Sequence, residues 1–145
     1  MQLSRPELER LLDERTVAAL WELPAAAGLT DGRAGEWAGT VDVFIRRYTA
    51  ETRPFIAFHC DGAAATVNVA LSSSADEDAR DDAAGGVLLC LHSGRVAPER
   101  RREGEATVHP AGLLHGVTSL RRHSPARYSM IMFFERPRRG AARAN

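Results

Sequence analysis

The spacing of hydrophobic residues changes near residue 40. Before it, Leu8, Leu11, Leu12, Val17, Leu20 and Trp21 recur mostly three or four apart, the period that lays one apolar stripe along an α-helix. The stretch SRPE from Ser4 reads as a helix start. Ser4 can cap, Pro6 suits the first turn, and Glu7 can return a hydrogen bond to the cap. One or two helices are expected, ending before Pro24, because a proline lacks the N–H that a helix interior needs. Gly28, Gly32 and Gly35 then mark a loop. From Val41 the period falls to two. VDVFIRRY, PFIAFH, ATVNVALS, GVLLCLH, a brief GRVA, EATVH, LLHGV and RYSMIMFF are separated by turn residues, as strands would be. Short strands with helices only in front predict a mainly β fold, a double-sheet barrel or jelly roll under an N-terminal helical cover.

A chain of 145 residues fits one domain at the usual size of roughly 150 residues. The expected division is a helical cover over 1–40, a β-barrel core over 41–135 and an arginine-rich tail over 136–145. The 19 basic and 19 acidic residues cancel, so no global field points to nucleic acid or to an anionic membrane as partner. The chain has no lysine, and every fixed positive side chain is an arginine. An acidic run, ADEDARDDAA from Ala75, and a basic run, ERRRE from Glu99, read as solvated loops. Cys60 and Cys90 are too few for a disulfide framework and suit a reducing compartment. The charged N-terminus has no apolar signal core, and no apolar run reaches the roughly 18 residues of a membrane helix. A cytoplasmic protein with no membrane partner is expected.

The segment FHCDG carries the first specific chemistry. In a strand, residues two apart share a face, so His59 and Asp61 project together while Cys60 points away, as a packing residue rather than a redox one. A third ligand must come from His92, His109, His115 or His123. His92 and His123 abut turns, and His109 reads as a polar residue beside a turn. HPAGLLHGV puts His115 at the start of a strand. Two histidines and one carboxylate on a barrel wall form the facial triad of non-haem Fe(II), which leaves open positions for cosubstrate and oxygen.

The order of motifs sharpens this. RRY ends a strand ahead of His59, and after Asp61 come TVNVALS, GGVLLCL, GEATVHP, LLHGV and ARYSMIMFF. Over residues 41–135 this order resembles the 2-oxoglutarate-dependent Fe(II) dioxygenase superfamily, in its prolyl 4-hydroxylase and lysyl hydroxylase-like branch. The resemblance implies a double-stranded β-helix of cupin type, with iron held by His59, Asp61 and His115 and with His109 uninvolved. It implies that Arg127 binds the far carboxylate of 2-oxoglutarate, with Ser129 on the same strand face and Tyr48 offering a phenol. Asn68 would face the cavity or its substrate gate. Pro125 stands where the family commonly has glycine, which leaves Arg121 and Arg122 as competitors for the role of Arg127.

The activity so implied couples Fe(II), 2-oxoglutarate and O2, with ascorbate as a helpful reductant, to hydroxylation of a C–H bond, releasing succinate and CO2. Asp61 favours hydroxylation, since halogenating relatives replace this carboxylate to admit chloride. The partner would be a protein, peptide or small-molecule substrate, and the acidic insertion at 75–82 would be a lid or a plain insertion. Two alternatives stay open: a cupin-like metalloenzyme independent of 2-oxoglutarate, and a barrel that binds without turnover.

Overall fold

A computed structural model of the chain describes residues 1–29, 39–72 and 85–136. The described residues form two helices, α1 (Arg5–Leu11) and α2 (Glu14–Ala26), and nine strands. The strands are β1 (Gln2–Leu3), β2 (Val41–Tyr48), β3 (Ile56–His59), β4 (Ala65–Ala70), β5 (Leu88–His92), β6 (Arg95–Glu99), β7 (Ala106–Pro110), β8 (His115–Val117) and β9 (Arg127–Phe134). Each expected strand segment forms, and β2 and β9 keep the expected bounds. The two-residue β1 is too short to leave a periodic trace in the sequence. Gly32, Gly35, the acidic run at 75–82 and the tail beyond Arg136 lie outside the described residues.

Ser4 caps α1 as its sequence predicts. Its Oγ accepts from the Glu7 N–H at 3.4 Å while its own N–H donates to Glu7 Oε2 at 2.7 Å. Asp13 caps α2 by accepting from Thr16 N–H at 2.9 Å. The expected stop before Pro24 does not occur, for α2 runs through it to Ala26. Proline costs a helix one N–H and crowds the carbonyl four residues back, but here only two residues of helix follow it, and the Ala27 N–H still reaches the Leu23 carbonyl at 2.9 Å.

The strands form two antiparallel sheets, one in the order β1-β2-β9-β4-β7 and the other β3-β8-β5-β6. This is the jelly-roll arrangement of two facing sheets. On the larger sheet, alternate residues go opposite ways. Val43, Val67, Val69, Met130, Met132 and Phe134 pack with Leu3, Leu8 and Val17 into the hydrophobic core. Helix α2 lies over this outer face, and the Trp21 ring meets Phe134 edge-on with centroids 6.4 Å apart. The intervening residues, among them Tyr48, Thr66, Asn68, Arg127 and Ser129, line a cleft of about 440 Å³ between the sheets. No helix among the described residues is long and apolar enough to cross a membrane.

Candidate metal and anion site

His59 and His115 come together because β3 and β8 pair antiparallel with these two residues directly opposite. Their ring centroids are 4.4 Å apart. Gly116 permits the approach: a Cβ there would lie 2.9 Å from the Ile56 carbonyl oxygen and 3.2 Å from the Phe58 nitrogen. Strand β3 ends at His59, so Asp61 sits just past the strand rather than within it. It still converges, with Oδ1 3.4 Å from His59 Nε2 and Oδ2 3.8 Å from His115 Nε2. Ligand atoms of His59, Asp61 and His115 all lie within 4.8 Å of one another.

The bonds around this trio orient it for metal. His59 Nδ1 lies 2.9 Å from the Ala57 carbonyl and His115 Nδ1 lies 3.0 Å from the Leu113 carbonyl. A carbonyl only accepts, so each Nδ1 carries a proton and each Nε2 is the atom turned to Asp61. Thr66 donates to Asp61 Oδ2 at 2.7 Å and fixes the carboxylate. Two imidazoles and one carboxylate are a donor set that suits divalent iron.

Elsewhere in the cleft the lining is cationic. Arg127 is buried, starts β9 and stands opposite Tyr48 of β2. Its Nε is enclosed without a hydrogen-bond partner, and no described residue forms an ion pair with it. Gly86, at φ +72°, makes room: a Cβ there would press on Arg127 Cδ at 2.7 Å and Nη1 at 2.8 Å. Burial lowers the Arg127 pKa. Burial also raises that of Tyr48, which therefore stays a protonated phenol able to donate. Ser129 follows on the same face of β9. Arg121 and Arg122 are exposed and do not line the cleft.

Sequence reasoning missed Arg101. The run ERRRE reads as uniformly solvated, yet its middle arginine is only 5% exposed while Arg100 and Arg102 face water. Identical neighbours carry no periodicity, so the pattern could not distinguish them. Arg101 Nη1 donates to the Asn68 carbonyl at 2.6 Å and to Asn68 Oδ1 at 2.9 Å, and it lines the same cleft as Arg127. Burial, and then repulsion from Arg127, push its pKa down to about 10, so it remains charged at neutral pH.

His109 lies just before a turn, as its sequence suggests, but is buried rather than open to water. It is a buried member of β7, opposite Thr66, with Nε2 3.7 Å from Asp61 Oδ2 and its ring centroid 4.6 Å from that of His115. Desolvation lowers its pKa. Cys60 is exposed, so it does not pack as expected. A second group, Cys90, His92 and Glu99 on the β5–β6 hairpin, also gathers ligand atoms within 4.8 Å of one another.

No protein-family model matches the chain, and no curated protein matches it in sequence. One of the solved structures it is similar to shares its fold at a TM-score above 0.5. A Pseudomonas putida prolyl-4-hydroxylase superposes with a TM-score of 0.54 at 18% identity, over 70% of this chain and 56% of that one. A cupin domain from Bordetella pertussis Tohama I gives 0.45 at 15% identity, over 66% and 81%. An oxalate oxidase gives 0.47 at 16% identity, over 66% and 42%. The chain thus spans little more than half the length of the prolyl hydroxylase.

Proposed function

We propose that the protein is an Fe(II)- and 2-oxoglutarate-dependent dioxygenase. It would hydroxylate a C–H bond of a protein side chain, of prolyl or lysyl type, or of a free amino acid, and release succinate and CO2. One observation carries the reading: the His59, Asp61 and His115 trio shares a cleft with Arg127, a buried guanidinium that no described residue pairs.

In this reading His59, Asp61 and His115 hold iron, which when bound supplies the one-electron and O2 chemistry that side chains lack. Arg127 takes the far carboxylate of 2-oxoglutarate, since its planar fork matches a carboxylate and keeps its charge when desolvated. The Tyr48 phenol and Ser129 hydroxyl add hydrogen bonds beside it. Thr66 holds Asp61 in place, and the Ala57 and Leu113 carbonyls hold the two imidazoles. Asn68 faces the substrate and positions Arg101. Leu88, Val117 and Ile131 supply apolar walls that limit water around the site.

The test needs no known substrate. Purified protein with Fe(II), ascorbate and 2-oxoglutarate is expected to make succinate above a no-enzyme blank, and Asp61→Ala should reduce it strongly. Absence of succinate across a panel of peptides and amino acids, together with no measurable binding of 2-oxoglutarate to the metal-loaded protein, would refute the reading. A second reading, a cupin-type metalloenzyme that works without 2-oxoglutarate, draws on His109, which brings a third imidazole to Asp61. Loss of stoichiometric metal in His109→Ala, with turnover indifferent to 2-oxoglutarate, would select it.

A further inference from the structure

The β5–β6 hairpin carries a second set of metal-ligating groups, which the proposed reaction does not use. Its strands are joined by a two-residue turn, Ser93 and Gly94, with φ of 50° and 77°. A turn with both residues at positive φ matches the twist of the strands it joins and fixes their register. Leu88 then stands opposite Glu99, Cys90 opposite Ala97 and His92 opposite Arg95. Cys90 and His92, two apart, share one face of β5, and Glu99 shares it across the hairpin. Ala97, in the row between His92 and Glu99, carries only a methyl group. The two long side chains meet over that row, His92 Nε2 lying 3.9 Å from Glu99 Oε1.

With Cys90 Sγ below them, the three ligand atoms lie within 4.8 Å of one another. Tetrahedral zinc, bonded at about 2.3 Å to sulfur and about 2.0–2.2 Å to nitrogen or oxygen, holds its donor atoms about 3.3–3.7 Å apart. Closing the hairpin group on an ion therefore takes a movement of about 1 Å. The His92 and Glu99 side chains, 57% and 38% exposed, have the freedom to make it. The group shares no residue with the His59, Asp61 and His115 trio, and its donors differ in kind. Two imidazoles and a carboxylate suit iron, whereas a thiolate is a soft ligand that favours zinc. Burial raises the Cys90 thiol pKa, so an arriving ion displaces the thiol proton to solvent.

We infer that Cys90, His92 and Glu99 bind one zinc ion, with water in the fourth position, separately from the iron site and from the activity assigned to it. The ion acts as a staple. Among the described residues β6 pairs with β5 alone, and most of its residues face water, so little burial holds it. Glu99 is its last residue, two before Arg101 in the cleft wall. A metal on Glu99 fixes the strand end from which the chain enters the cleft.

Cobalt(II) stands in for zinc in the test, because a thiolate–cobalt bond gives a strong near-ultraviolet charge-transfer band that imidazole and carboxylate ligands do not. Cobalt is titrated under argon into reduced protein, both the parent and His59→Ala, in which the other site is lost. The band is expected in both, saturating at one equivalent in His59→Ala and vanishing when zinc is added. Cys90→Ser should abolish it, and Cys60→Ser should leave it. Should Cys90→Ser fail to fold, His92→Ala and Glu99→Gln, at more exposed positions, carry the test. Each should weaken cobalt binding by about tenfold or more, since even groups that only orient a ligand are worth that much. Zinc should also slow amide exchange along β6. Absence of the band, its loss in His59→Ala or in Cys60→Ser, or cobalt affinity unmoved by both His92→Ala and Glu99→Gln overturns the inference. Exchange in β6 that zinc leaves unchanged overturns the staple.

Discussion

The two faces of the larger sheet are built from the same strands and have opposite chemistry. Along β9, Met130, Met132 and Phe134 turn outward into a core sealed by helix α2, while Arg127, Ser129, Ile131 and Phe133 turn inward to the cleft. Strand β4 divides likewise, with Val67 and Val69 outside and Thr66 and Asn68 inside. In this protein the larger sheet's apolar side therefore faces the helices, and the space between the sheets is kept partly polar. The outer face supplies stability, and the inner face spends some of it on unpaired charge. A helical cover is what makes this division possible, because without it the outer face would be exposed.

The largest expected effect separates the faces completely. His59→Ala or His115→Ala should abolish stoichiometric Fe(II) or Mn(II) binding, measured by equilibrium dialysis, whereas His109→Ala retains it. The His59 side chain is 42% exposed, so His59→Ala should shift the stability of the metal-free protein by no more than about 1 kcal/mol. Metal loss in His109→Ala alone would show that the inner face uses a different ligand set.

Next in size is the outer face. Phe134 is fully buried against Trp21, and Phe134→Ala should cost roughly 3–5 kcal/mol in urea unfolding by removing buried area and leaving a cavity. Metal affinity of the fraction that stays folded should be nearly unchanged. If metal affinity fell in parallel, the two faces would be coupled rather than separable.

The smallest effect is the most diagnostic. Arg127→Met should weaken 2-oxoglutarate binding to metal-loaded protein by about 1.5–3 kcal/mol, or about tenfold to a hundredfold. Arg121→Ala and Arg122→Ala should leave that affinity unaltered. The metal-free Arg127→Met protein should be as stable as the parent or more so, because a buried charge that no described residue pairs has been replaced by an apolar side chain of similar length. Loss of stability instead would mean that Arg127 serves the fold.

Local pattern determined much of this. A period of two placed the strand segments, and a capping box placed the start of α1; His59 and Asp61 do converge as their spacing predicts, although Asp61 lies just past the strand and the alternation alone does not put it there. The strands and the cap follow from backbone geometry, which acts over a few residues. Other features required the folded chain. The pairing of β3 with β8 sets His59 opposite His115 across 55 intervening residues, and no local rule fixes which strands become neighbours. Only that packing shows why Gly116 follows His115 and why Gly86 stands beside Arg127, since each glycine makes room for a group distant in sequence. Only packing draws Arg101 out of a run of three arginines, and only it brings His109 to Asp61. Burial and long-range charge depend on what surrounds a residue in space, and the sequence states only what surrounds it along the chain.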